Sequence, residues 1–360
     1  HIKRTIKIAL KTVAVLLLMF ITLVLLFSIP LVQNKVGSYV TNSLNEDFGT
    51  NINIEKIGLK FNGDVSLKNI FIEDYKKDTL LIVKQLNTSV LSVNNILNNK
   101  LTFGDIAIEG LYLNIRTYQE ERQTNLDVFV YKLDSEAPTT KSKTPFLLSS
   151  SNISIKESAF KLVDDNKQES NILNFSNLII NAQDFLILGP KVNATITAFS
   201  FYDTRGVTIK NLATDFSYSR SAMVFNDLSI TTNASQIKGA LTFQYEREDL
   251  QYFEDKVRIM ASFDNSVIAL NELNTFYNEF GVDQVARVNV NLSGTLNDLK
   301  ATQLNLKTSN KTIIDGDVVF KNLFNKSKNT YEMLGSFNSI ASNYKDLTSL
   351  LPNILGKSIP

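Results

Sequence analysis

Between Asn51 and Phe320 run after run places apolar residues at every second position, and this period restricts the fold more than any other feature of the chain. Side chains of a β-strand alternate between two faces, so such runs predict half-buried strands with one apolar and one wet face. Ile52/Ile54, Ile57/Leu59/Phe61, Val65/Leu67 and Ile70/Ile72 open the series. Leu101/Phe103, Ile106/Ile108, Leu111/Leu113/Ile115, Ile153/Ile155, Met223/Phe225, Leu228/Ile230, Leu241/Phe243, Val288/Val290/Leu292 and Val318/Phe320 continue it. The intervening residues are mostly Asn, Ser, Thr and Lys, which suit the solvated face of an antiparallel sheet.

Phe61-Asn-Gly63-Asp64 and Asp203-Thr-Arg-Gly206 carry the chemistry of tight connections. Gly239, Gly294 and Gly316 lie in phase with apolar neighbours, which marks bulges or close backbone approaches. A strand and turn per 9–12 residues gives roughly 25–30 strands. At about 4.8 Å per strand, one unbroken sheet would reach roughly 120–140 Å. Open sheets of that size curl, split or become quasi-one-dimensional. Two arrangements satisfy the pattern: a curled sheet with an apolar groove, or successive β-sandwiches with dry cores. Alternation does not separate them.

Helical spacing interrupts the strands at about 269–280, with Leu270, Leu273, Phe276, Tyr277 and Phe280, and at about 344–355, with Leu347, Leu350, Leu351 and Leu355. Phe263, Leu273 and Phe276 align with Phe337, Leu347 and Leu350 at an offset of 74 residues, as in an internal repeat. Residues 134–146, polar and holding Pro138 and Pro145, read as a loop or linker between a β unit at 50–133 and continuing strands at 147–360.

The N-terminus follows another rule. Thr12–Pro30 contains no charge, and a helix of that length, roughly 29 Å, matches a hydrocarbon core of about 30 Å. Lys3, Arg4, Lys7 and Lys11 precede it, so residues 1–11 are expected to form a cytoplasmic basic tail and 12–31 an uncleaved, single-pass signal anchor. No small-x-small cleavage site follows Phe27. Val32, Val36, Tyr39, Val40, Leu44 and Phe48 then predict an amphipathic helix over 32–49, read as capping the core below it, with a helix lying at the membrane surface as the alternative.

Composition excludes many chemistries. The chain has no Cys, no Trp and one His, His1, which removes thiol nucleophiles, haem ligation and His-based triads. Net charge is +1, without the basic excess that nucleic acid demands. Glu73/Asp74 with Asp78, Asp164/Asp165 and Asp315/Asp317 lack calcium-loop spacing and read as solvated turns. The expectation is therefore a protein that is not an enzyme, with no catalytic residue, metal or cofactor.

The order of parts resembles the AsmA-like superfamily, and within it the N-terminal part of TamB-like (translocation and assembly module) proteins. The resemblance is carried by the span with Ile29-Pro30 and Val32-Gln33, the helix to Phe48-Gly49, and Leu67-Lys-Asn-Ile70-Phe-Ile72-Glu73-Asp74. Asp78-Thr79-Leu80-Leu81, Gly110-Leu111-Tyr-Leu113, Leu292-Ser-Gly294-Thr295 and Asp346-Leu347 to Leu351-Pro352 add to it. It implies a mainly β fold: an elongated, curled antiparallel sheet, the β-taco, whose groove bridges inner and outer membranes. It further implies a periplasmic body and passage of phospholipid acyl chains. Family members engage a TamA-like outer-membrane barrel through a C-terminal region this chain does not contain, so the chain is expected to be part of a longer protein.

The in-phase residues expected to line the lipid groove are Leu59, Phe61, Ile106, Ile108, Leu241, Phe243, Val290, Leu292, Val318 and Phe320. A second expectation is a scaffold for outer-membrane protein assembly or translocation, pairing client strands at a sheet edge.

Overall fold

A computed structural model describes residues 30–60, 62–92, 94–95, 98, 100–132, 145–167, 171–275, 280–309, 311–323, 332–350 and 352. The basic tail, almost all of the expected span at 12–31, and Phe61 lie outside the described residues. Among the described residues no helix is long and apolar enough to cross a membrane.

The protein is mainly β: 63% of the described residues are strand, and they form one long, open, curled sheet of 16 strands. Helix α1 (Pro30–Phe48) precedes β1 (Ile52–Leu59), β2 (Asp64–Glu73), β3 (Thr79–Val90) and β4 (Lys100–Thr117). After α2 (Asn125–Lys132) come β5 (Leu147–Asp164), β6 (Asn171–Leu188), β7 (Lys191–Asp203), the two-residue β8 (Thr208–Ile209) and β9 (Asn211–Tyr218). Next are β10 (Ala222–Thr231), β11 (Gln236–Gln244), the short α3 (Phe253–Lys256) and β12 (Arg258–Ala269). The last elements are β13 (Val285–Thr295), β14 (Asp298–Thr308), β15 (Ile313–Lys321), β16 (Glu332–Ala341) and α4 (Tyr344–Leu350). Apart from β8, which pairs with β7 alone, spatial order follows chain order.

Among the described residues sixteen strands stand where the sequence reading gives roughly 25–30, because many phase changes that read as strand ends lie inside one strand. In β10, Phe225 and Leu228 point the same way although three residues apart, and the ladder to β11 shifts between them. Asp227 stands there at φ 48. A bulge inserts one residue, reverses the phase and bends the strand without ending it. Asn69 in β2, Glu157 in β5, Asn177 and Asp184 in β6, Asn265 in β12 and Gln303 in β14 share this left-handed conformation, at φ between 48 and 53. Asn and Asp tolerate it better than most residues, which explains five of the seven choices.

The sequence reading expects an antiparallel sheet, but one pair departs from it. β4 and β5 run parallel in unbroken register from Lys100↔Leu147 to Thr117↔Asp164. Parallel neighbours need a crossover in place of a hairpin, and the segment containing α2 supplies it. Thr124 and Asp127 form a capping box at the start of α2: the Asp127 N–H donates to Thr124 Oγ1 at 3.0 Å, and the Thr124 N–H to Asp127 Oδ2 at 3.1 Å. That signal stands in the sequence, yet the helix was not among the expected elements.

Helix α1 covers the edge of β1. The Ile52 N–H donates to Asn45 Oδ1 at 2.9 Å, Asn45 Nδ2 donates to the Ile52 carbonyl at 3.0 Å, and Gln33 Nε2 donates to the Leu59 carbonyl at 2.9 Å. Gly37 lets the helix approach, since a Cβ there would fall 1.7 Å from Ile57 Cδ1. Phe48 is buried and meets Phe146 edge-on, but Tyr39, expected on the apolar stripe, is 68% exposed. The helix thus covers a sheet edge with Asn and Gln side chains as well as apolar ones, and the apolar period alone misassigned Tyr39.

The expected helix at 269–280 is a 3-10 turn at Leu270–Thr275, with 276–279 outside the described residues; α4 occupies the start of 344–355. The curl follows from twist, about 20–25° per strand. It brings Glu248, from the connection after β11, into a cleft of about 440 Å³ with Tyr75, Glu121 and Arg122, from the far end of β2–β4.

Candidate functional site

Cross-strand partners share a face, so the pairing register decides which apolar residues meet. Leu59, Val65, Thr88, Ile106, Ile153, Ala182, Ile196 and Thr214 form one row across β1–β9. A second row begins at Ala194 and runs through Phe216, Phe225, Leu241, Ala261, Leu292, Ala301 and Val318 to Gly335. The two join through a cluster that holds Ile106, Ile153, Ala182, Ala194 and Ile196.

The longest row crosses twelve strands. It passes from Leu101 in β4 through Leu148, Ile187, Val192, Tyr218 and Met223 to Phe243. It continues through Ile259, Gly294, Leu299 and Phe320 to Met333 in β16. At about 4.8 Å per strand this stripe is roughly 50 Å long without a charged residue.

Nine of the ten residues expected to line a groove, Leu59, Ile106, Ile108, Leu241, Phe243, Val290, Leu292, Val318 and Phe320, lie on this face; the tenth, Phe61, lies outside the described residues. Ile106 and Val318 are each 4% exposed, while the other seven are half-buried. Half-burial is what an apolar face shielded by its own curl shows when no second sheet covers it. Sequence reasoning missed Leu148, Ile187, Val192, Tyr218 and Phe216. Their strands alternate too, but the phase between distant strands is set by bulges and pairing.

Aromatic rings gather on the same face. Phe175 stacks on Phe201 at 4.0 Å and tilts against Phe160 at 5.4 Å. A second chain runs from Phe216 through Phe225 and Phe243 to Phe253 of α3, with centroids 5.1, 6.1 and 5.4 Å apart. Three hydroxyls on this face turn onto backbone: Ser158 donates to the Lys156 carbonyl, Thr214 to that of Asn226 and Ser266 to that of Lys238. The opposite face is polar, as in the row Lys56, Lys68, Gln85, Glu109 and Lys156. Hydrogen bonding and charge from Lys84, with the charge of Lys156, hold the Glu109 carboxyl below its ordinary range.

Three of the acidic residues expected on solvated turns are buried or bonded into the structure. Asp74, 6% exposed, accepts from the Lys76 and Asp78 N–H groups, Tyr118 Oη and Asn125 Nδ2. Burial, then that bond to Asp74, pushes the Tyr118 hydroxyl well above its usual range. Asp164 is also 6% exposed and accepts from the Asn166 N–H, while Asp165 pairs with Arg116 at 2.7 Å. Asp203 does the same work at the end of β7: burial opposes its ionisation, but bonds from the Arg205 side chain and N–H outweigh that and hold it low. Such carboxylates tie strand ends and turns together. Among the described residues no group of three His, Cys, Asp or Glu side chains could hold a metal ion.

This geometry suits binding along a line. It offers continuous apolar surface to an elongated apolar ligand, with polar groups at strand ends and on the outer face. No protein-family model matches the chain, and no curated protein matches it. Fold and site together define a mainly β protein built as one open, curled sheet with one apolar face, which α3 at Phe253 and α4 at Leu350 partly cover.

Proposed function

We propose that the chain is a non-enzymatic carrier of phospholipid acyl chains, an inner-membrane-anchored periplasmic bridge of the AsmA-like, TamB-like kind. In this reading residues 12–31 span the inner membrane with the N-terminus in the cytoplasm. The curled sheet is a β-taco groove leading toward the outer membrane and a TamA-like barrel. The observation that carries the reading is the apolar stripe of roughly 50 Å from Leu101 to Met333. Acyl chains need such continuity, at about 0.8 kcal/mol per buried CH₂, while headgroups stay in water at the open seam.

Photocrosslinking in cells tests it, with a probe at Phe243 or Leu292 and a control at the neighbouring Thr242 or Asn291. Phospholipid attached at the first pair and absent from the second is the expected result. Protein adducts alone would favour the assembly scaffold, and silence at all four positions would mean a dry face and end the proposal.

A further inference from the structure

The two edges of the sheet are treated differently. β1 has its edge groups bonded by Asn45 and Gln33 of α1, and the Ile57 N–H by Asn34 Oδ1 at 3.4 Å. β16, the other edge, pairs among the described residues with β15 alone. Its Met333, Leu334, Phe337 and Ile340 are 55%, 60%, 39% and 58% exposed, and it contains neither lysine nor proline to deter pairing.

The internal repeat identifies what such an edge receives. Leu228, Gly239 and Phe263 are cross-strand neighbours in β10–β12, and Leu304, Gly316 and Phe337 are the same neighbours in β14–β16. Each glycine sits where a Cβ would strike the next strand, 1.9 Å from the Ser262 carbonyl oxygen and 2.4 Å from that of Ser336. The element after each third strand carries the same clamp. Glu272 accepts from Thr232 Oγ1, the Ala234 N–H and Ser235 Oγ in the β10–β11 turn. Asp346, 74 positions on, accepts from Thr308 Oγ1 and from the N–H and Oγ1 of Thr312 in the β14–β15 turn. β16 therefore stands where β12 stands, and the far edge of β12 is paired with β13.

We propose that β16 is a docking edge for one further antiparallel strand of the β13 type. Its pattern is Val-x-Val-x-Leu-x-Gly, with valine opposite Phe337, a large residue opposite Gly335 and glycine opposite Met333. The register copies Phe263↔Val290, Ala261↔Leu292 and Ile259↔Gly294. Main-chain bonds give affinity, and the alternate side chains extend the apolar rows. This rests on the sheet and its repeat, independent of any lipid.

A labelled peptide of the β13 sequence, VARVNVNLSGT, added to the full 360-residue chain in mild detergent tests the proposal. The chain has no Cys, so disulfide trapping reads the register cleanly. A peptide with Cys at the Val290 position should couple to Phe337→Cys, and one with Cys at the Gly294 position to Met333→Cys. Each should react at least about tenfold less with Asn338→Cys, whose side chain leaves on the other face. N-methylating alternate peptide amides, which removes two or more bonds, should weaken binding roughly tenfold or more. Absence of binding with the fold intact by circular dichroism, coupling without register, or a β16-mediated dimer of the chain that excludes the peptide would each overturn it.

Discussion

At the scale of single residues, the fold depends on positions where a strand is made to break its own rule. Asn265 stands at φ 48 inside β12, and its N–H, lost to the ladder at the bulge, donates to Asn289 Oδ1 at 2.6 Å. Gln303 repeats the device, its N–H donating to Asp317 Oδ1 at 2.9 Å. At both bulges a side chain of the neighbouring strand accepts the orphaned donor, and at Asn265 the residue itself also tolerates the left-handed backbone. Replacing Asn265 by valine should destabilise the protein by about 1–2 kcal/mol, because a β-branched side chain crowds its own carbonyl there. Asn265→Gly should stay within about 1 kcal/mol of the parent. Urea denaturation of the two variants checks this; equal losses would mean that the side chain, not the backbone, matters at this bulge.

Elements show a second economy, the use of amide side chains in place of a strand. Asn45 of α1 bonds both the N–H and the carbonyl of Ile52, as a neighbouring strand would. With Asn45→Ala both bonds go, each contributing about 1 kcal/mol. Hydrogen exchange at Ile52 should then quicken by roughly tenfold or more, with the amides of β4 unchanged. Unaltered exchange at Ile52 would mean that apolar packing alone holds α1 to the edge. The same exchange of roles explains why Tyr39 misled the sequence reading. A helix that faces a strand edge needs Asn, Gln and a small Gly37 on its contact side, and an apolar period does not report them.

For the whole molecule, each strand touches its sequence neighbours and little else. Stability in such a sheet is nearly a sum of nearest-neighbour terms, so it opens from its weak end. β4, β5 and β6, each of 18 residues, pair over the longest ladders, whereas β16 has one partner strand among the described residues and exposed side chains. Native-state hydrogen exchange should therefore rank β16 and α4 as least protected and β4–β6 as most protected. Uniform protection across all strands would show one cooperative unit and contradict the picture.

The alternation from Ile52 to Phe320 by itself determined that the chain is a β protein with one apolar face, because the two-residue period of a strand is a local property. It also disclosed nine of the described residues on that face, the 74-residue repeat and the glycines that neighbouring backbones approach. The number of strands, the parallel β4–β5 pair and the continuous stripe from Leu101 to Met333 were decided only in three dimensions. A bulge such as Asp227 and a turn both end an alternating run, and one sequence pattern serves for either. Which of them forms depends on the register of the next strand, whose pairing bonds lie many residues away.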